Sequence, residues 1–168
     1  MHIEKSHPLD GSALQKTFVE QATGLYCAKI HLITHLPDLI HQATFNNLRL
    51  AMAEVLEDTK RQMISLGRIF SLLGKSADTE SCLAMNAIIS EASNKIAVYP
   101  NNNYDSDMTI IFYMSVIENL QIGAGRVLSV IASKQGFEPY AQFVKETLDS
   151  SKDNADLFQV IAKEYLEN

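Results

Sequence analysis

Apolar residues recur at alternating three- and four-residue steps in four long segments of the chain, the spacing of helices that each bury one stripe in a bundle. The clearest segment covers residues 48–73, and its stripe consists of Leu48, Met52, Val55, Leu66, Ile69 and Leu73. Near its middle the segment carries Asp58, Thr59 and Gln62 in place of apolar residues. A polar interruption in a core stripe is costly unless its groups find partners. We therefore expect the other helices to supply those partners.

The segment before it predicts a first helix that starts near Ser12, which forms a capping-box pattern with Gln15. Its stripe consists of Leu14, Phe18, Ala22, Leu25, Leu32, Leu36, Leu39 and Ala43. One position that the stripe requires to be apolar is Lys29. Pro37 predicts a kink rather than an end, because the pattern continues beyond it. The short turn at 44–47 makes the first two helices antiparallel neighbours.

Beyond Gly74, a shorter helical pattern at 82–97 lies between a polar stretch and a loop at 100–103. The third long helix follows, with Ser106 or Asp107 as its candidate cap. Its stripe is interrupted at Gln121 and consists of Ile110, Met114, Ile117, Ala124, Leu128 and Ile131.

Gly136 ends the third long helix in this prediction, and Pro139 suits the first turn of the last one. The stripe of the last helix consists of Tyr140, Val144, Thr147, Phe158, Ile161 and Tyr165. Ser151 and Asn154 form its polar interruption.

These elements predict an all-α fold, an up-down four-helix bundle in which a crossover with a short extra helix joins two antiparallel pairs. That is the ferritin-like arrangement of a bundle. We expect one domain over residues 1–168, with a loose tail at 1–10. Each long helix carries its polar break about half-way along, so the breaks should form a single polar layer. Its predicted members are Lys29, Asp58, Gln62, Gln121, Ser151 and Asn154.

The net charge of −6 argues against nucleic acid or an anionic membrane surface as the main partner. No stretch approaches the ~20 apolar residues of a membrane span, and no signal peptide is visible before residue 11. We therefore expect a cytoplasmic protein. Cys27 and Cys82 are the two cysteines, and we expect both to be buried, reduced thiols, since neither has a basic neighbour to activate it.

Several short motifs carry a family resemblance: Tyr26 through Leu39 with its Leu-Pro pair, Leu56-Glu57-Asp58-Thr59 followed by Gln62, Phe70-Ser71-Leu72-Leu73-Gly74, Cys82-Leu83-Ala84-Met85, Glu118 to Gln121, and Glu146-Thr147-Leu148-Asp149. In order and spacing they resemble the bacterial YciE/YciF ferritin-like proteins, which are associated with stress, over about residues 18–162. The resemblance implies a homodimer and inward carboxylates that hold a pair of metal ions, as in di-iron bundles.

The positions that match those carboxylates are Lys29 on the first helix, Asp58 on the second beside a retained Gln62, Glu118 and Gln121 on the third, and Ser150 and Ser151 on the last. The resemblance therefore adds Glu118 to the predicted members of the polar layer. A dinuclear site needs several anionic ligands to offset the charge of the metals. We therefore expect no metal and no other cofactor. If one ion binds, we expect it between Asp58 and Glu118, and an iron or manganese site is the alternative.

Lys29 is the most informative residue, because a buried ammonium needs a counter-charge or loses its proton. Our hypothesis is that its ammonium replaces the metal and pairs with Asp58 or Glu118. In the alternative, Lys29 lies at the edge of the stripe and reaches water. His31 and His35 have a spacing that can grip a metal, but they lack a third ligand, unless the Pro37 kink brings His41 close.

Three functions remain open. We favour a non-enzymatic, stress-associated protein that acts through its surface, with the polar layer closed by hydrogen bonds and an ion pair. The second is a di-iron or di-manganese oxidase, peroxide-consuming or iron-handling protein with a shifted site. The third is a small-molecule binder that uses the vacated cavity, lined by Tyr26, Gln121, Ser151 and Asn154.

Overall fold

The computed structural model describes residues 11–77, 83–98, 103–135 and 138–167. These residues form five helices and contain no strand: α1 (Gly11–Gln42), α2 (Asn46–Leu72), α3 (Leu83–Val98), α4 (Asn103–Gln135) and α5 (Glu138–Glu167). The predicted all-α fold is confirmed. None of the described helices is long and apolar enough to cross a membrane.

The four long helices form a bundle in which α1 packs on α2 and α4, and α5 packs on α4 and α2. Asp107 near the start of α4 contacts Thr44, and Asn47 at the start of α2 bonds to Glu164 near the end of α5. The starts of α2 and α4 and the ends of α1 and α5 therefore share one end of the bundle. The connection from α2 to α4, which carries α3, must return along the length of the bundle. This is the ferritin-like topology that the sequence predicts.

The boundaries of the first two helices follow from local chemistry. α1 continues through Pro37 to Gln42, so the helix does not end at the proline, as predicted, and Ala43 directly after the helix is buried. The kink stays a prediction. α2 ends where Gly74 adopts a left-handed φ of 61°, and the amide of Lys75 then donates to the carbonyl of Phe70 at 3.0 Å. Glycine is the residue that adopts this conformation without steric cost.

Neither Ser106 nor Asp107 caps α4, contrary to our prediction, because α4 begins earlier, at Asn103. Asp107 is fully buried, with 0% of its surface exposed. Its carboxylate accepts hydrogen bonds from the backbone amides of Thr44 and Phe45, both at 2.9 Å, and from the Thr44 hydroxyl at 2.5 Å. The N-cap residue of α2 is Phe45, whose own side chain caps nothing. Asp107 therefore satisfies the start of α2 from across the bundle, where the helix dipole favours negative charge.

Two apolar clusters fill the bundle. The first includes Leu36, Leu48, Met52, Val55, Ile110, Met114, Ile117, Phe158 and Ile161. The second includes Phe18, Leu25, Leu66, Phe70, Leu128, Phe143 and Val144. Every long helix contributes to both clusters, so each helix passes from one cluster to the other near its middle. A layer between the clusters is where the polar breaks should meet.

The prediction of a reduced thiol is wrong for Cys27, whose sulfur is buried and disulfide-bonded. The other cysteine of the sequence, Cys82, lies outside the described residues. α3, which begins one residue after it in the sequence, packs against α1. The distance between the two segments along the sequence did not predict the contact between α3 and α1.

Candidate functional site

Lys29 lies in the middle of α1 and only 1% of its surface is exposed. Its ammonium donates a hydrogen bond to Oε1 of Gln121 at 2.9 Å and another to Oε1 of Gln62. These two amides come from α4 and α2, so one cation joins three helices. The alternative in which Lys29 lies at the edge of the stripe and reaches water is wrong.

Glu118 is the buried carboxylate of the same region, also with 1% of its surface exposed. Its Oε2 accepts a hydrogen bond from Nε2 of Gln121 at 3.2 Å, and its Oε1 accepts one from Nδ2 of Asn154 at 3.4 Å. The Ser151 side chain is a further hydrogen-bonding neighbour. The carboxylate is thus held by side chains of α4 and α5.

Lys29 and Glu118 are linked through an amide rather than by direct contact. The ion pairs within 4.0 Å among the described residues do not include this pair. Gln121 lies between them, accepting from the ammonium at Oε1 and donating to the carboxylate from Nε2. Both ends of the amide are therefore satisfied, and they fix its orientation.

The two buried ionisable groups are both shifted toward neutrality. Burial lowers the pKa of Lys29 to about 8, and the nearby charge of Glu118 opposes that effect. Burial raises the pKa of Glu118 to about 7, opposed by Lys29 and by hydrogen bonds from Ser151 and Asn154. Desolvation penalises the charged form of each group, and the attraction between the two opposite charges offsets only part of that penalty.

A second chain of hydrogen bonds leads from Lys29 toward α5. Gln62 accepts from the ammonium at Oε1, and its Nε2 donates to the Ser150 hydroxyl at 2.8 Å. Ser150 was not among the predicted members of the layer, although it matches one of the two acidic positions on the last helix of the family. The structure thus brings together a set drawn from all four long helices: Lys29, Gln62, Glu118, Gln121, Ser150, Ser151 and Asn154. We call these seven residues the polar layer.

Asp58 is the predicted residue that the structure leaves out of the polar layer. Its side chain is 26% exposed and pairs with Arg61, three residues further along α2. The residue that α2 turns inward is its neighbour Thr59, which is buried and whose hydroxyl donates to the carbonyl of Val55 at 2.7 Å. Asp58 therefore does not pair with Lys29, contrary to one form of our hypothesis. It lies outside the layer that contains Glu118, so the expected single-ion site between Asp58 and Glu118 is not formed by this arrangement.

The remaining candidates lie apart from the polar layer. The rings of His31 and His35 stack with centroids 5.9 Å apart, and His41 is exposed. No group of three or more His, Cys, Asp or Glu residues within the described ranges could hold a metal ion. Tyr26, which we predicted to line a central cavity, packs its ring edge-on against Phe70 at 5.7 Å.

The donor set of the polar layer does not fit the pair of metal ions that the family resemblance implies. Such a pair needs several anionic oxygen ligands. The layer offers one carboxylate, from Glu118, whose pKa is raised by burial. Its other oxygen atoms come from amides and hydroxyls, and the ammonium of Lys29 already occupies two of the amide oxygens. A metal cation would have to displace this ammonium.

Comparison with known proteins gives the family of the chain. The sequence profile described as "Domain of unknown function (DUF892)" matches residues 13–168. The chain belongs to the DUF892 family. Protein YciF of Escherichia coli K12 is 24% identical over 140 residues, which are 83% of this chain and 84% of that protein. The resemblance to YciE/YciF-like proteins, predicted from short motifs, is confirmed.

Two solved structures share the fold of this DUF892 protein. The E. coli stress protein YciF superposes with a TM-score of 0.84 at 22% identity, covering 92% of this chain and 98% of that one. YcfI from Rhodopseudomonas palustris superposes with a TM-score of 0.81 at 20% identity, covering 95% and 98%. The fold is therefore shared over more than nine-tenths of the chain.

Proposed function

We propose that this DUF892 protein is a non-enzymatic, stress-associated protein that acts through its surface as a homodimer. In this proposal the centre of its bundle is closed by the polar layer instead of metal ions. The observation that carries the proposal is the buried ammonium of Lys29 on two glutamine oxygens. The name of the relative YciF, a stress protein, supports the association with stress.

The charge balance of the polar layer supports a centre without metal. Lys29 supplies one positive charge and Glu118 one negative charge, and Gln121 connects them. A divalent ion would add two positive charges beside a cation that is already buried, with one carboxylate to offset them. Coulomb repulsion between the metal ion and the Lys29 ammonium, which is strong in a low-dielectric interior, opposes this addition.

The exposed face of α4 supports a second copy of the chain as the partner. Phe112, Leu120, Val127 and Val130 are exposed, and their spacing places them on one side of the helix. Gly123 lies between them, and a Cβ built there meets nothing within 4 Å. An uncharged stripe with a glycine at its centre is complementary to itself, as a two-fold contact between identical helices requires.

Metal loading tests the central claim. The protein is incubated with Fe(II) or Mn(II) without oxygen, separated from free ions, and analysed for metal content. We expect much less than one ion per chain and no oxidation signal when air is admitted. About two ions per chain with such a signal would contradict the proposal and favour the di-metal alternative.

A matched variant shows that the assay can detect a site in this scaffold. The triple substitution Lys29→Glu, Gln121→Glu and Ser151→Glu restores carboxylates at positions that match the family's acidic residues, so metal content should rise. For the dimer, Val127→Glu should convert the protein to a monomer in sedimentation analysis, while Lys145→Glu on an exposed position of α5 should not. A monomeric unsubstituted protein would exclude the dimer.

A further inference from the structure

A cleft of about 360 Å³ opens between α2 and α5 beside the polar layer. Its lining includes Gln62 and Ser150, the two residues that carry the hydrogen bonds of the layer toward the surface. Phe143 supplies an aromatic surface, and Arg61 and Glu146 supply charges. A concave site with a few convergent polar groups and an apolar wall is the usual form of a small-molecule site.

Thr147 gives an independent indication that the cleft takes a ligand. It lines the cleft with 1% of its surface exposed, and its hydroxyl oxygen is the buried side-chain polar atom without a hydrogen-bond partner among the described residues. Five threonines in other helices donate to the carbonyl four residues earlier: Thr17, Thr23, Thr34, Thr59 and Thr109. The Thr147 hydroxyl does not make this hydrogen bond. A buried hydroxyl without a hydrogen-bond partner is destabilising. A bound ligand that hydrogen-bonds this hydroxyl would remove that cost.

The other groups in the cleft define the chemistry of that ligand. The carboxylates of Asp58 and Glu146 outnumber the guanidinium of Arg61, which is already paired with Asp58. An anion such as phosphate therefore meets net repulsion. Carboxylates, hydroxyls and an amide together accept and donate hydrogen bonds in several directions. A cation gains little in return, because Arg61 neutralises Asp58 and the Glu146 carboxylate already accepts from Gln142. The mixture therefore suits a ligand that carries many hydroxyl groups and no charge.

We propose that the α2–α5 cleft binds a small neutral polyhydroxylated molecule, a sugar or a polyol. The Thr147 hydroxyl would hydrogen-bond the ligand, Glu146 and Ser150 would engage further hydroxyls, and the ring of Phe143 would lie against its carbon face. The cleft shares Gln62 and Ser150 with the polar layer but is not lined by Lys29 or Glu118, and its test by ligand binding is independent of the metal-loading test proposed above.

Ligand-observed NMR and calorimetry on the full chain test this assignment. The probes are glucose, sorbitol and trehalose at millimolar concentrations, with inorganic phosphate and spermidine representing anionic and cationic ligands. We expect at least one of the neutral probes to bind and the charged ones not to bind. Absence of binding by all three neutral probes, or binding of a charged probe alone, would overturn the proposal.

Two isosteric substitutions localise the binding. Thr147→Val removes the unpartnered hydroxyl and keeps the shape, so the affinity should fall at least about tenfold while the melting temperature is unchanged or rises. Thr59→Val is the matched control, because Thr59 is also buried but donates to the carbonyl of Val55 in its own helix and lies outside the cleft. The affinity of this variant should be unchanged. Glu146→Gln should also weaken binding without affecting the fold. Equal affinity in Thr147→Val and the unsubstituted protein would contradict the site.

Discussion

Two buried carboxylates on the same face of α4, about three helical turns apart, are held in different ways. Asp107 accepts three hydrogen bonds of 2.5–2.9 Å, two of them from backbone amides at the start of α2. Glu118 accepts from the side chains of Gln121 and Asn154 at 3.2 and 3.4 Å, and its counter-charge is a lysine beyond an amide.

The difference separates a structural carboxylate from a replaceable one. The backbone donors of Asp107 exist whatever the side chains are, because every helix start leaves unpaired amides. The donors of Glu118 are side chains on two helices, and each can be changed by one substitution. The environment of Asp107 is therefore dictated by the fold, whereas that of Glu118 can change its chemistry while the bundle persists.

The largest effect is expected from Lys29→Met. This substitution leaves Glu118 buried without a counter-charge and leaves two glutamine oxygens without a donor. Breaking a buried pair in this way costs about 3–5 kcal/mol when the remaining group is charged. The free energy of unfolding, measured by urea titration and circular dichroism at a pH just above the raised pKa of Glu118, about 7, should therefore fall by about that amount. Lys60→Met is the control, since Lys60 forms an exposed pair with Glu57 worth less than about 1 kcal/mol. Similar losses in both variants would contradict the central role of Lys29.

Isosteric amides compare the two carboxylates directly. Asp107→Asn places an amide NH₂ against backbone amides that also donate, so we expect a loss of about 2–3 kcal/mol. Glu118→Gln should cost less than about 1 kcal/mol when measured below pH 7, because the raised pKa of Glu118, about 7, means that its neutral form already predominates there. Denaturant titrations of both variants under the same conditions give the two values. The comparison fails if Glu118→Gln proves the more damaging.

The sequence predicts the level of the polar layer but not its exact members. Lys29 was recognisable because a charged residue stands where an apolar stripe requires an apolar one. Asp58 and Thr59 are adjacent, and one residue rotates a helix face by about 100°, so periodicity could not decide which of them points inward. The nearby Arg61 then holds Asp58 at the surface.

The contacts between residues far apart in the sequence could not be predicted, for a different reason. Asp107 has the chemistry of a helix cap, but α4 starts before it, and the helix it caps is α2, which lies far away along the chain. The orientation of Gln121 likewise depends on Lys29 and Glu118 together. Such pairings become visible only when the helices are packed.

The pH dependence should reveal the cost of burying the two charges. The pKa of Glu118 is raised from about 4.5 to about 7, so its stabilising contribution is full below the lower value and is lost as pH rises to the higher. The pKa of Lys29 is lowered from about 10.5 to about 8, so its contribution is full above the higher value and is lost as pH falls to the lower. Together they place a minimum between pH 7 and 8.

The measurement is the difference in unfolding free energy between the unsubstituted protein and the Lys29→Met/Glu118→Gln variant, across pH 5–10. This difference should pass through a minimum roughly 1–2 kcal/mol deep. A flat difference, or a maximum near pH 7.5, would indicate an ion pair whose attraction exceeds its desolvation.

The smallest effects should come from removing one donor at each carboxylate. Thr44→Ala deletes the hydroxyl that donates to Asp107 at 2.5 Å and should cost about 1 kcal/mol. Asn154→Ala deletes a donor that is 3.4 Å from Glu118, and alanine also favours the helix, so the net change should be within about 0.5 kcal/mol. Thr44→Ser keeps the hydroxyl and should recover most of the first loss. If Asn154→Ala were the costlier change, the side-chain donors of Glu118 would be as indispensable as the contacts at Asp107, and the distinction between the two carboxylates would not hold.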